Sequence, residues 1–178
     1  VDGYRSRAAY KLIEIDEKFK IFKNGISVID LGSAPGSWSQ YLSKKIKNSK
    51  IVSIDLREME AIDNTIQVLG DFTEEKNQSK IKGFFKSNVD VVLSDMAVNT
   101  TGNKNIDSIY TGELCMEAMF FSKKILNNDG KFISKIFMGS TFNEIITEAK
   151  LIFREVKVFK PKSSRKDSKE SFIICKNL

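Results

Sequence analysis

Histidine is absent from this 178-residue chain. Its absence removes Ser-His-Asp and Cys-His nucleophilic mechanisms, imidazole acid–base work and His-ligated zinc. Any proton transfer falls to Lys, Asp, Glu, Tyr or Cys. Only two cysteines occur, Cys115 and Cys175, too few and too scattered for a disulfide framework or a thiolate metal site. No metal is therefore expected, and a reducing cytoplasm is the simplest setting. No apolar run approaches the roughly 20 residues that cross a bilayer, so no membrane role is expected. Val1-Asp2-Gly3-Tyr4-Arg5 lacks the layout of a secretory signal, and without an initiator Met a lost N-terminal arm stays open. With two prolines and no repeat, low-complexity tract or linker, the chain reads as a single domain over 1–178.

At 41% hydrophobic, the composition supplies a sizeable core. Lys and Arg outnumber Asp and Glu by 29 to 23, and residues 157–169 alone hold six bases and one acid. A polyanionic partner fits this balance, although a basic run is also what a solvated surface looks like.

Hydrophobic periodicity predicts an N-terminal helix over 4–19, carried by Ala8, Leu12, Ile15 and Phe19 and stopped at Asn24-Gly25. A short buried-type strand at 27–31 precedes Gly32-Ser-Ala-Pro-Gly36 and a second helical face. Strand-like runs follow at 51–55, 66–69, 90–94, 131–137, 155–160 and 171–176. Helical stretches near 73–86, 109–127 and 140–152 lie between them. The alternation calls for an α/β fold: a seven-stranded, mostly parallel sheet covered by helices on both faces. The last two strands lack room for a crossover helix, so the final strand is expected to be antiparallel.

Ligands of open parallel sheets bind beyond the carboxyl ends of the strands. That rim carries Asp30, Asp55, Asp71, Asp95 and Lys135 at successive strand ends, with Glu170 joining them if the last strand is reversed. One such Asp alone reads as a cap or turn residue; a charge at nearly every strand end does not. In the loop 30–38 (DLGSAPGSW), Gly32 and Gly36 allow a sharp bend and close approach to a ligand. The helix that follows offers free N–H groups. Asp55, about twenty residues on, is placed for ribose hydroxyls. The spacing is G-x-x-x-G rather than G-x-G-x-x-G, which points to an adenosine-containing cofactor without specifying NAD.

These motifs resemble the FtsJ/RrmJ family of S-adenosylmethionine-dependent RNA ribose 2′-O-methyltransferases. The resemblance runs from YRSRAAYKL at 4–12 through DLGSAPGSWSQ at 30–40, GDF at 70–72, SDMA at 94–97 and ISKIF at 133–137 to KPKSSRKDSKE at 160–170. It implies the Rossmann-like class I methyltransferase fold, S-adenosylmethionine as cofactor, and a uridine ribose of large-subunit (23S) ribosomal RNA as target. Transfer RNA or an mRNA cap, or a non-catalytic ribosome-assembly module of the same fold, are the alternatives. The family's Lys-Asp-Lys-Glu tetrad carries over to Lys11, Asp95, Lys135 and Glu170. In that pattern Lys135 deprotonates the 2′-hydroxyl, Asp95 and Lys11 hold and polarise the centre, and Glu170 orients the lysines. A positioning role for Lys135, with water taking the proton, stays open.

Cofactor contacts implied by the match are Gly32, Ala34, Pro35, Gly36, Trp38, Asp55, Asp71, Phe72 and Asp95. Arg5, Arg7, Lys160, Lys162, Arg165 and Lys166 are expected to cradle RNA phosphates, in a monomer acting within the large ribosomal subunit. Two positions depart from the pattern. Ser37 replaces a frequent Gly, and Val98 stands where Pro is usual, which is expected to loosen the loop 96–106.

Overall fold

The centre of the molecule is a strand buried on both faces. β1 (Ser27–Leu31) offers Val28, Ile29 and Leu31, all inaccessible to solvent, as expected where a parallel strand has helices above and below. The structure, a computed structural model, describes residues 3–98 and 101–178; part of the loop 96–106 therefore lies outside the described residues. Around β1 run β2 (Lys50–Asp55), β3 (Thr65–Leu69), β4 (Val89–Ser94), β5 (Leu126–Phe137), β6 (Glu155–Phe159) and β7 (Glu170–Lys176). They form one seven-stranded sheet in the order β3-β2-β1-β4-β5-β7-β6. β7 lies antiparallel to both β5 and β6, and the β1–β5 pairings are parallel.

Side chains alternate across the sheet and divide the core in two. One half joins Val28, Leu93, Ile133 and Phe172 to α1 (Ala8–Phe19) and α2 (Ser37–Lys45). The other packs Ile29, Val92, Phe132 and Ile173 under α3 (Glu75–Gly83), α4 (Lys104–Ile125) and α5 (Phe142–Ile152).

Three boundaries differ from the sequence reading by four or more residues. α1 starts at Ala8, not residue 4, because the chain before it is bound elsewhere: the Arg5 N–H donates to Gln40 Oε1 at 3.0 Å, and Ser6 Oγ accepts from Ala8 N–H at 3.3 Å. It ends at Phe19, before Asn24-Gly25, with Lys20 left-handed and the Asp16 carboxylate taking the Ile21 and Phe22 N–H groups. α4 begins at Lys104 rather than 109, since Asn103 caps it by accepting from the Asn105 and Ile106 N–H groups at 3.0 and 3.2 Å. β5 begins at Leu126, where an irregular register with β4 absorbs the turn-like Asn127-Asn128-Asp129-Gly130.

Candidate active site

Residues 28, 91, 93 and 133 face α1 and α2, so Asp30, Asp95 and Lys135, each an even number of positions along its strand direction, face the same way. Asp95 follows the end of β4, Lys135 is near the end of β5, and the reversed β7 brings Glu170, its first residue, to the same rim. Lys11 reaches them from α1.

The four side chains touch in series. Lys11 Nζ donates to both Glu170 oxygens at 2.7 and 3.0 Å. Lys135 Nζ lies 3.5 Å from Glu170 Oε1 and 3.2 Å from Asp95 Oδ1. All four side chains are 11–18% exposed, sunk enough to be desolvated yet still reachable. Burial pushes the Asp95 carboxyl up, with the Lys135 and Lys11 ammoniums opposing. Burial works to lower Lys135, but the Asp95 and Glu170 carboxylates outweigh it and hold the ammonium above its ordinary range. At Glu170 burial acts upward, and the two lysines win, drawing the carboxyl below the usual carboxylate range.

On the β2–β3 side, Asp55 ties two loops together. Its Oδ2 accepts from Ala34 N–H at 2.9 Å and its Oδ1 from Arg57 N–H at 2.8 Å. It lines a cavity of about 270 Å³ with Ser33, Met59, Gln67, Val68 and Leu69. Gly32 and Gly36 are left-handed, at φ +67° and +110°, and a Cβ on either would strike Met96 or Ile62, respectively. Asp71 folds onto the Thr73 N–H and hydroxyl. The Phe72 side chain is in the core, 4% exposed, rather than beside that cavity. Trp38 is buried too; its indole N–H donates to Ala8 O at 2.8 Å and so fixes the start of α1.

The expected RNA ligands fall into two groups. Arg7, Lys162, Arg165 and Lys166 are exposed, and among the described residues no hydrogen bond or close ion pair takes their charged ends, although the Lys162 charge acts on Glu14. Arg5 and Lys160 are engaged. Arg5 Nη1 donates to Pro35 O and Glu60 O at 3.0 and 2.8 Å, and Nη2 donates to Ala61 O at 3.1 Å. Lys160 Nζ donates to the Ser168 and Glu170 carbonyls at 2.7 and 2.8 Å, bracing the turn into β7. The loop 161–169 hangs from α1 through Glu14, whose carboxylate accepts from the Lys162 N–H and from both the N–H and hydroxyl of Ser163. The two departures also acquire partners: Ser37 Oγ meets Ser6 Oγ at 2.8 Å, and the Val98 N–H, which a proline lacks, donates to Thr111 Oγ1 at 2.9 Å.

Residues 4–178 match the FtsJ-like methyltransferase family. The chain belongs to that family. It is 72% identical over 178 residues to Ribosomal RNA large subunit methyltransferase E of Pelagibacter ubique (strain HTCC1062), covering all of this chain and 88% of the relative. A Plasmodium falciparum crystal structure, provisionally described as a ribosomal RNA methyltransferase, superposes with a TM-score of 0.86 at 34% identity over 98% of both chains. A Streptococcus mutans protein solved in complex with SAH shares the fold, with a TM-score of 0.61 at 13% identity over 93% of this chain and 97% of that one. As an FtsJ-like methyltransferase the chain takes its methyl group from S-adenosylmethionine. The residues present fit such a group: the Asp55 carboxylate has lone pairs left to accept from hydroxyls, and Met59, Val68 and Leu69 bring apolar side chains to the same cavity. Among the described residues no helix is long and apolar enough to cross a membrane.

Lys104, Asn105 and Ser108 line a second, larger cavity beyond the tetrad and escaped the sequence reading. The signal was there: Asn103 is a capping residue that starts α4 five positions before the expected 109.

Proposed function

We propose that this chain methylates a ribose 2′-hydroxyl of large-subunit (23S) ribosomal RNA, at a uridine. We propose further that it acts as a cytoplasmic monomer whose whole length forms one catalytic domain. The observation that carries the reading is the unbroken contact series Asp95–Lys135–Glu170–Lys11 at the strand-end rim. Its large-subunit target is supported by the name of the Pelagibacter relative.

S-adenosylmethionine supplies an electrophilic methyl group on a sulfonium. Asp55 and the Gly32–Gly36 loop would hold it, with Asp95 on the side facing the acceptor. The exposed cations of the 161–169 loop position RNA by phosphate, which fixes register without reading sequence. Lys135 Nζ holds the 2′-oxygen, with Lys11 and Glu170 fixing the direction of its protons. As the new O–CH₃ bond forms and the S–CH₃ bond breaks, the hydroxyl proton must leave. Because two carboxylates keep Lys135 protonated, one proton must first be lost to water from the lysine–hydroxyl pair. Alignment of the three reacting atoms is the larger contribution, on the order of 7–11 kcal/mol for well-oriented groups.

The test is incubation with methyl-labelled cofactor and purified large subunits, free 23S RNA, transfer RNA and capped RNA, followed by mapping of alkali-resistant linkages. One ribose-methylated uridine in 23S RNA is expected, lost in Lys135→Ala with cofactor binding kept. Label only in transfer RNA or cap refutes the ribosomal target, and full activity of Lys135→Ala refutes the role of that lysine.

A further inference from the structure

The sheet order puts one cavity on each side of the tetrad. The Asp55 cavity lies over β2 and β3, at one edge of the sheet. Across β4, β5 and β7, which present Asp95, Lys135 and Glu170, lies a cavity of about 770 Å³. Its walls are the first turn of α4, the end of β5 with the residues after it, and the tip of the 161–169 loop. We propose that this larger cavity receives the acceptor nucleotide, and that the amino-terminal turn of α4 grips it through Lys104, Asn105 and Ser108. The proposal rests on the ribose-methylation reading above and extends it from the cations of the 161–169 loop to the first turn of α4, which that reading does not use.

Position argues first. A 2′-oxygen over Lys135 must face the methyl donor on the β1–β2 side, so the remainder of its nucleotide extends the other way. That direction leads into the cavity: Phe137 lies two residues past Lys135, and Lys169 adjoins Glu170. The wall is fixed where it meets the tetrad, since the Met138 N–H donates to Lys169 O at 2.9 Å. Size agrees, because small-ligand clefts run to roughly 300–1,000 Å³.

Chemistry argues second. Lys104, Arg165 and Lys169 bring three cations to the lining, against the carboxylates of Asp107 and Asp167. Asp107 is buried and occupied, accepting from the Thr101 N–H and hydroxyl at 3.2 and 2.7 Å, so the cavity presents net positive charge to phosphate. Phe137 and the exposed Met138 give a base an apolar surface. In the same lining, the Asn105 amide and the Ser108 hydroxyl have no hydrogen-bond partner among the described residues, leaving one mixed donor–acceptor pair for a base edge.

The test measures methylation kinetics and cofactor affinity on full-length protein for Lys104→Ala, Asn105→Ala and Gly139→Phe. Gly139 lines the cavity, its backbone needs no left-handed angle, and a Cβ there has Ser108 Oγ at 3.4 Å as its nearest neighbour, so added bulk enters the open space. Expected are an RNA KM raised about tenfold for Lys104→Ala with a salt slope lower by about one. Asn105→Ala should lose kcat/KM by about tenfold, on the scale of one base contact. Gly139→Phe should be inactive, and cofactor Kd should stay within about twofold throughout. If the wild type methylates RNA and all three variants match it, the cavity assignment is overturned and the function stands. A wild type that methylates no RNA overturns both.

Discussion

Asp30 is the sharpest point at which to test the energetics. It lies at the end of β1 with 1% exposure, and Ser39 at the start of α2 donates its hydroxyl to the carboxylate at 2.7 Å. Burial pushes the carboxyl up from 3.8 to about 7; the Ser39 hydrogen bonds pull the other way, and the charges of Asp95 and Asp55 add to the rise. An acid whose folded pKa is raised lowers stability at every pH where the unfolded chain is ionised. That cost grows from about pH 4 to pH 7 and is constant above. A gap of about three pH units at about 1.4 kcal/mol each gives about 4 kcal/mol at pH 8. Asp30→Asn removes the titration and keeps an oxygen for Ser39, but buries an amide N–H₂ that costs about 1–3 kcal/mol unless it finds an acceptor. The variant should therefore gain about 1–3 kcal/mol at pH 8, roughly 3–10 °C in Tm for a chain of this size. At pH 4 it should be no more stable than wild type. Urea unfolding of both proteins from pH 4 to 8 checks this. Parallel curves across that range, or a variant less stable at pH 8, would refute the argument.

Three further outcomes follow from contacts at the site. Methyl transfer at saturating substrate should rise about tenfold per pH unit between pH 6 and 9, since Lys135 titrates above its ordinary range and a proton must leave first; a flat profile excludes that order of events. Arg5→Ala should weaken cofactor binding by about tenfold and RNA binding far less, because three carbonyl contacts in the 35 and 60–61 loops are lost. Lys at this position spans fewer carbonyls and should not rescue it; calorimetry with cofactor and with RNA separates the two effects. Glu14→Ala should speed tryptic cleavage after Lys162, Arg165 or Lys166 and cost about 1–3 kcal/mol. At Glu14 burial acts upward, but the Ser163 and Lys162 hydrogen bonds draw its carboxyl down, so wild-type loop protection should hold above about pH 4.5 and fade as pH falls through the lowered value. Cleavage indifferent to both would show the tether is idle.

The strands were legible because parallel strands buried on two faces read as short apolar runs. The four tetrad residues could be named from the family resemblance, with charges recurring at successive strand ends pointing to Asp95, Lys135 and Glu170; Lys11, on a helix, came from the resemblance alone. What escaped was set by partners distant in sequence. Arg5 and Lys160 look like phosphate ligands in the sequence, which displays the cation but not the carbonyls of residues 35, 60, 61, 168 and 170 that receive it. Phe72 looks like a cofactor contact in Gly-Asp-Phe, yet its ring completes the core. The start of α4 was masked by Asn-Thr-Thr-Gly-Asn at 99–103, whose turn character hides the cap at its end.

One short stretch of chain serves as the harness between the two halves of the reaction. Arg5 is hitched to the donor loops, Lys11 to Glu170 and Glu14 to the basic loop, the last two one helical turn apart. Successive residues of a helix are about 100° apart around its axis. A single residue inserted between Arg5 and Lys11 would leave the first hitch fastened while swinging the other two off their moorings. The proposed donor and acceptor sites are thus kept in step by the count of five residues between one arginine and one lysine.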